Sequence, residues 1–432
     1  MTDIVAELKW RGLIHQTTDD AGLPGWLAAP PRTLYAGFDP TADSLHVGHL
    51  VALLILRRFQ RAGHRPIALV GGATGMIGDP SGKSEERVLL TADAINRNVA
   101  AMQQQMQRLL DFDPGPHAAR LVNNYDWMRG WSYLDFLRDI GKNFPVNVML
   151  AKDSVRNRLE KSDAGLSYTE FSYMLLQAYD FVKLNEMFGC ELQAGGSDQW
   201  GNITAGIDLA RRMGRGQLYG ITCPLLLKKD GSKMGKTEKG ALWLSPEKTS
   251  PYEFYQYWIN VDDADVSLCL KMLTELSREE IEALDAARTA DPGRRESQKR
   301  LAEELTRMIH GVAALAKAQE ASQSLFQADI ASLTAEQLGQ AFSNAPSCEI
   351  SRDSLQGEGL LLIDALVKTK LCKSKSEARR VIDEGGAYVN QHAAESIERR
   401  LTEEDLVAGT TIVLRRGRKN YALLRFVGQA IA

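Results

Sequence analysis

Residues 33–38 (Thr-Leu-Tyr-Ala-Gly-Phe) form a nearly continuous apolar run, the pattern of a strand buried on both faces. Asp39-Pro40 stops it, because the residue before a proline is steered away from regular continuation and proline has no amide to donate. From Leu45 to Arg61 the apolar residues Leu50, Leu53 and Leu54 recur at helical spacing. Arg57, Arg58 and Arg61 fill the last turns, and Gly63 follows as a C-cap. Pro66 to Val70 is a second strand, closed by Gly71-Gly72. Strand, helix and strand in so short a span make a βαβ unit, which implies a parallel sheet.

Helical patterns follow through the low hundreds and again at 167–188. Glu191 to Ala194 reads as a short strand running into Gly195-Gly196-Ser197-Asp198, and Ile221 to Leu227 as another. The α/β part, residues 1–230, is expected to end there. Residues 251–327 lose the strand signal and read as helices: one from Pro251, then Val266–Leu276, Arg278–Ala287 and Glu296–Gln323. The lysine-rich loop and these helices form an expected second region, 231–327. Residues 328–358, rich in Ser, Gln, Ala and Asn, read as a linker with weak helical pieces. The tail, 359–432, opens with a helix (Leu360–Thr369), enters another (Glu377–Glu384), and turns at Gly385-Gly386 into Ala387-Tyr-Val-Asn. No internal repeat is visible.

Length and composition set the class. The chain has 432 residues, more than one ordinary domain holds, with 44% hydrophobic and 25% charged residues, as in soluble globular proteins. Net charge is −3, so no global basic field advertises nucleic acid. The tail departs from that balance, with 13 Lys and Arg against 10 Asp and Glu over residues 358–432. Five cysteines, with no C-x-x-C pair, argue against structural zinc and for reduced thiols. No signal-peptide pattern and no apolar stretch of about 18 residues is present, so a cytoplasmic protein without a membrane span is expected.

His46-Val47-Gly48-His49 follows a strand and starts a helix. Residues three apart share a helix face, so both imidazoles point to where the helix amides and the positive dipole end favour phosphate. Two aligned N–H donors suit the extra charge of a phosphoryl-transfer transition state. Helix capping and metal binding are the plainer uses of such a pair, although a zinc helix would place its histidines four apart with a Glu. Lys233-Met-Gly-Lys236-Thr237 lies in a polar, glycine-interrupted loop. Its two lysines suit a triphosphate, while a charge run alone is more often a solvated loop. Gly71-Gly-Ala-Thr-Gly-Met-Ile-Gly-Asp-Pro-Ser-Gly-Lys-Ser resembles a P-loop, but that motif needs glycine where Ile77 stands. It reads instead as a turn exposing its backbone, with Asp79 placed to bind an ammonium or to cap a helix. Tyr173, Gln177 and Asp180 fall on one helix face flanked by Phe171, Met174, Leu175 and Phe181, so that polar stripe can line a pocket.

Together these motifs resemble the HIGH and KMSKS signatures of class I aminoacyl-tRNA synthetases. Tyr35-Ala-Gly37-Phe-Asp39-Pro-Thr41, Gly71–Asp79, Thr169–Asp180 and Gly195-Gly-Ser-Asp-Gln-Trp-Gly-Asn202 are similar to segments of the bacterial tyrosyl-tRNA synthetases. The likeness is dense over residues 33–258 and resumes at Ser374–Asn390, similar to a small RNA-binding fold. It implies an α/β, Rossmann-like parallel-sheet catalytic domain, an α-helical anticodon-proximal domain and a small α+β RNA-binding C-terminal domain. It also implies tyrosine activation by ATP, transfer to tRNA(Tyr), Mg2+ accompanying ATP, and a homodimer.

By the same resemblance His46 and His49 bind phosphates in the transition state, and Lys233, Lys236 and Thr237 clamp pyrophosphate, aided by Lys83 and Arg87. Gly37, Asp39, Gly196, Asp198 and Gln199 hold the ATP ribose and α-phosphate region. Tyr35 and Asp180 hydrogen-bond the phenolic hydroxyl; Tyr173, Gln177 and Asp79 hold the α-ammonium. No protein metal site is expected. Gly235 and Thr237 stand where the signature has serine, and Ala52 stands where some relatives carry a hydroxyl, so that side chain offers the ribose no hydrogen bond. In the tail, Lys373, Lys375, Arg379 and Arg380 form one basic cluster and Arg415, Arg416, Arg418 and Lys419 another, a pattern suited to a phosphate backbone. The competing readings are a tryptophan-specific synthetase, a small nucleotidyltransferase, and an RNA-binding protein with an inactive core.

Overall fold

The computed structural model describes residues 3–29, 31–81, 90–161, 165–237, 240–327, 330, 333–335, 338–339, 342, 345–417 and 420–427. The chain divides into two compact units: residues 1–250 with 258–309, and 251–257 with 310–432.

The first unit is built on a six-stranded sheet. Its strands are β1 (Gln16–Thr17), β2 (Thr33–Phe38), β3 (Arg65–Val70), β4 (Arg120–Asn123), β5 (Cys190–Gly196) and β6 (Tyr219–Cys223), in the order β1-β6-β5-β2-β3-β4. All neighbours run parallel except β1, which pairs antiparallel with β6. β2 lies between β3 and β5, so successive connections leave it in opposite directions. That is a topological switch point, and the crevice beyond the carboxyl ends of β2 and β5 is where such sheets bind ligands. The expected βαβ unit is present as β2, the helix Val47–Arg61 and β3. The strand expected at Ile221–Leu227 runs instead over Tyr219–Cys223, because Pro224 cannot donate to the ladder. Farther along, β7 (Lys236–Thr237) and β8 (Gly240–Ala241) pair in a short antiparallel ladder of their own.

The helix Tyr168–Phe188 supplies one wall of that crevice. Ser167 caps it by accepting from the Glu170 amide (3.2 Å), and Gly189, in the left-handed conformation, ends it. It packs on the helix Trp200–Arg212. At that crossing a Cβ on Gly206 would stand 3.2 Å from the Phe181 ring, so the two backbones approach as closely as glycine allows. Phe181 is fully buried, and its ring meets Tyr35 edge-on with centroids 5.3 Å apart.

The helices Val266–Leu273, Arg278–Ala290 and Glu296–His310 begin within this unit, so the strand-to-helix change near residue 230 is not a break in packing. Arg11 donates to the carbonyls of Lys271, Thr274 and Leu276, and Arg58 donates to that of Thr274. Glu275 bridges Arg57 and Arg61, both at 2.8 Å. Arg11, at the end of the Ile4–Trp10 helix, and Arg58, near the end of the 47–61 helix, thus satisfy carbonyls at and just beyond the end of the 266–273 helix. The single helix expected over Glu296–Gln323 is two, Glu296–His310 and Val312–Gln327, separated at Gly311.

The second unit carries a five-stranded sheet of β9 (Ser347–Ser351), β11 (Ala387–Val389), β12 (His392–Ala393), β14 (Thr411–Arg416) and β15 (Asn420–Val427), ordered β12-β11-β14-β15-β9. β10 (Leu360–Leu361) and β13 (Arg400–Leu401) form a small ladder beside it. The helices Leu362–Lys368 and Lys375–Asp383 share a core with Ile412, Leu414 and Leu424. Described residues of the stretch expected as a linker, 328–358, take part in this unit's packing. Residues 347–351 form an edge strand parallel to β15, and Ile330, Leu333 and Leu338 pack with Val407, Val413 and Leu423. Polar composition hid this, because only every few residues face inward.

Phe181 holds Tyr35 and the 168–188 helix in place, so Phe181→Ala should cost about 3–5 kcal/mol in chemical denaturation. A cost below about 1 kcal/mol would contradict this packing.

Candidate active site

A cavity of about 590 Å³ opens at the switch point. β2 and the segment after it contribute Tyr35, Gly37 and Asp39; β5 and its following turn contribute Gln193, Gly196, Asp198 and Gln199. His46 and His49 come from the 47–61 helix, Tyr173, Gln177 and Asp180 from the 168–188 helix, and Lys233 and Lys236 from the lysine loop. Asp79 and Thr74 also line it.

The two histidines form a capping box. His46 Nδ1 accepts from the Gly48 amide (3.0 Å), and His49 Nδ1 accepts from the His46 amide (3.2 Å). A neutral imidazole accepting at Nδ1 carries its proton at Nε2, so each ring keeps one N–H donor. The rings stack with centroids 3.8 Å apart. Gly48 is required here, since a Cβ would lie 2.8 Å from His46 Cε1 and push the ring off its cap. Capping and phosphate binding, alternatives at the level of sequence, are compatible uses of one pair.

The lysine loop is tied to this helix start. Met234 donates from its amide to Leu226 O (3.0 Å), and Leu242 donates to Gly235 O (2.7 Å). Gly235 has φ +80°, and a Cβ there would stand 3.3 Å from Val47 Cβ. Met234 is buried, and the Cys269 thiol donates to its Sδ at 3.1 Å. Lys233 and Lys236 are exposed at the cavity mouth. Thr237 lies in the β7–β8 ladder. Lys83 and Arg87 lie outside the described residues.

Two hydrogen-bonded chains tie the polar lining together and anchor it to the protein behind it. In the first, Trp127 Nε1 (2.9 Å) and Asn124 Nδ2 (3.0 Å) donate to the two oxygens of Asp180. Asn124 Nδ2 also donates to Thr74 Oγ1 (3.0 Å); Thr74 donates to Asp39 (2.7 Å), and the Tyr173 hydroxyl donates to Asp39's other oxygen (2.9 Å). In the second, Gln177 donates to Gln199 (3.3 Å), and Gln199 donates to Asp79 (2.7 Å). Asp79 also accepts from the Ser81 amide, so it closes a turn rather than capping a helix. Tyr35 Oη and Gln193 Oε1 are buried with no hydrogen-bond partner. Sequence reading missed Asn124, Trp127, Thr74 and Gln193. The available signal was position: Asn124 directly follows β4, at the carboxyl end of a parallel strand. Among the described residues no three His, Cys, Asp or Glu side chains group to hold a metal, and no helix is long and apolar enough to cross a membrane.

The family model for class I tRNA synthetases (W and Y) matches residues 28–327, and that for the tyrosine–tRNA ligase SYY-like C-terminal domain matches 337–424. The chain belongs to the class I tRNA synthetases. It is 58% identical to a tyrosine–tRNA ligase of Rhodopirellula baltica, over 98% of this chain and 96% of that one. It is 51% identical to that of Geobacillus stearothermophilus, over 98% and 100%. Among solved structures, a C-terminally truncated mitochondrial tyrosyl-tRNA synthetase of Aspergillus nidulans superposes with a TM-score of 0.67 at 31% identity, covering 76% of this chain and 95% of that one. A tryptophanyl-tRNA synthetase of Encephalitozoon cuniculi, at 14% identity and a TM-score of 0.52, shares the fold.

Burial dominates the electrostatics of this synthetase's pocket. It pushes the Tyr35 and Tyr173 hydroxyls well above their ordinary range, helped by Asp180 beside Tyr35 and by Asp39 beside Tyr173. It raises Asp198 too, with the charge of Asp79 adding to the effect. Asp180 is driven up to about 7 by burial, although its bonds from Asn124 and Trp127 pull the other way. In the unfolded chain the same acid titrates near 3.8. Between those values the folded chain holds a proton that the unfolded chain has released, so stability falls as pH rises from 4 through 7. Each pH unit within that window changes stability by about 1.4 kcal/mol, so the stability of Asp180→Asn relative to wild type should climb by about 3–4 kcal/mol between pH 4 and 8. Denaturation midpoints across that range test it; a flat difference would refute the buried acid.

Proposed function

We infer that this chain is a tyrosine–tRNA ligase. It activates L-tyrosine with ATP to tyrosyl-adenylate and pyrophosphate, then transfers tyrosine to the 3′ end of tRNA(Tyr). The observation that carries the substrate is the buried, unpartnered Tyr35 hydroxyl beside Asp180, a carboxylate held by Asn124 and Trp127. A phenol would donate to Asp180 and accept from Tyr35. A phenylalanine would leave the Tyr35 hydroxyl buried and unpaired and take nothing from Asp180, at about 1–3 kcal/mol.

In the first step a tyrosine carboxylate oxygen attacks the ATP α-phosphorus. The P–O bond to the β-phosphate breaks, and pyrophosphate leaves with the electron pair. No enzyme nucleophile is needed, so positioning and charge stabilisation carry the rate. His46 and His49 would donate from Nε2 to the phosphates, at a helix start already favourable to anions. Lys233 and Lys236 would neutralise the departing pyrophosphate, with Thr237, Lys83 and Arg87 assisting. Tyr173, Gln177 and Asp79 would hold the α-ammonium; Gly37, Asp39, Gly196, Asp198 and Gln199 would hold the nucleotide. Mg2+ would arrive on ATP, its oxygens supplied by the phosphates rather than by a protein cage. In the second step a terminal ribose hydroxyl of tRNA attacks the acyl carbon and AMP leaves.

The second unit supports tRNA binding. Lys373 and Lys375 are exposed at the start of the Lys375–Asp383 helix, and Arg379 and Arg380 are exposed farther along it, Arg380 in its last turn. A homodimer is supported by Tyr133, Leu134, Val146 and Val148, large apolar side chains left open on the first unit.

Pyrophosphate exchange with each of the twenty amino acids should proceed with tyrosine; exchange with tryptophan alone would overturn the substrate. In that assay His49→Ala should lower the rate at saturating substrates about 100–1,000-fold while leaving tyrosine affinity nearly unchanged. A second measurement addresses the basic cluster. Arg379→Ala with Arg380→Ala should spare exchange, weaken tRNA binding about tenfold, and flatten its salt dependence by about one unit per lost phosphate contact. An unchanged salt slope would remove that cluster from the RNA interface.

A further inference from the structure

Trp243 is not among the residues lining the cavity, yet the two signatures meet through it. Residues 241–244 run between the lysine loop and the start of the 47–61 helix. On one side the Leu242 amide donates to Gly235 O (2.7 Å). On the other, the Val47 amide donates to Leu242 O (3.1 Å) and the Leu244 amide donates to Leu45 O (2.8 Å). Those two bonds frame His46 and Trp243 as an antiparallel pair of the non-hydrogen-bonded kind, the geometry in which facing side chains stand closest.

The side chains follow the backbone. The Trp243 ring lies 5.9 Å from that of His46, inclined by 59°, and His46 is in turn stacked on His49. Trp243 is itself held. Its amide donates to Thr249 Oγ1 (3.1 Å), and Lys248 Nζ lies 5.2 Å from its ring centroid while pairing with Asp43 at 2.7 Å. The indole is thus braced between Lys248 and the histidine pair.

We propose that Trp243 is a positioning residue that couples the lysine loop to His46 during adenylate formation. His46 has one edge fixed by its cap on the Gly48 amide and one face covered by His49. Trp243 supplies a further brace, on a segment whose backbone is bonded both to Gly235 and to the start of the helix. A displacement of the lysine loop therefore moves the brace, and an Nε2–H donor misplaced by about 1 Å forfeits on the order of a hundredfold in rate. The inference rests on the assignment of His46 and Lys236 to the ATP phosphates.

The test is single-turnover tyrosyl-adenylate formation by the full-length protein at saturating tyrosine and ATP. Trp243→Leu should lower the rate constant about 10–100-fold with the tyrosine KM within about twofold, and Trp243→Phe, which restores a ring, should recover most of the loss. A double-mutant cycle of His46→Ala and Lys236→Ala should show coupling in the wild-type background that shrinks in Trp243→Leu. A rate within twofold of wild type, a KM rising in step with the loss, or an unchanged coupling energy would each overturn the proposal. Should Trp243→Leu fail to fold, Trp243→His carries the same cycle. If His46→Ala and Lys236→Ala alone leave the rate intact, the phosphate assignment fails first and the coupling falls with it.

Discussion

Burying a carboxylate is expensive unless donors surround it, and this pocket depends on meeting that demand for the buried Asp79 and Asp180 and the half-buried Asp39. The donors come from far apart in the chain. Asp180 on one helix is held from the end of β4; Asp39 after β2 is held by Thr74 and by Tyr173; Asp79 is held by Gln199 after β5. Only a parallel sheet brings those carboxyl ends together. The crossover at β2 leaves a crevice there instead of a packed helix. Sheet, helices and arginine-tied helical segment together give the polar lining a rigid frame.

That constraint has a chemical corollary. Asn124 and Thr74 link Asp180, at the end assigned to the phenol, to Asp39, at the end assigned to the nucleotide. The two binding functions proposed for the pocket thus share one polar network rather than two separate sets of contacts. Interactions within such a network do not add independently.

Much of this was legible in the sequence because it is local. The β2–helix–β3 unit follows from a short apolar run, a helical period and glycine punctuation. The stripe of Tyr173, Gln177 and Asp180 follows from the helical repeat, and all three line the cavity. What was not legible depends on distant partners. Nothing near Asn124 or Trp127 announces that Asp180, more than fifty residues on, needs their donors. The strand at 347–351 was hidden for a related reason: its partner, β15, lies at the far end of the tail, and its own composition is polar. The split at Gly311 was missed because the apolar period continues across it.

Gly48 carries a consequence of a different sort. Its missing side chain makes room first for a neighbouring histidine rather than for a ligand. Damage at position 48 should then be damage to position 46 arriving by another route. Lesions at the two sites would be redundant rather than cumulative, so tolerance at one can be judged only when the residue at the other is known.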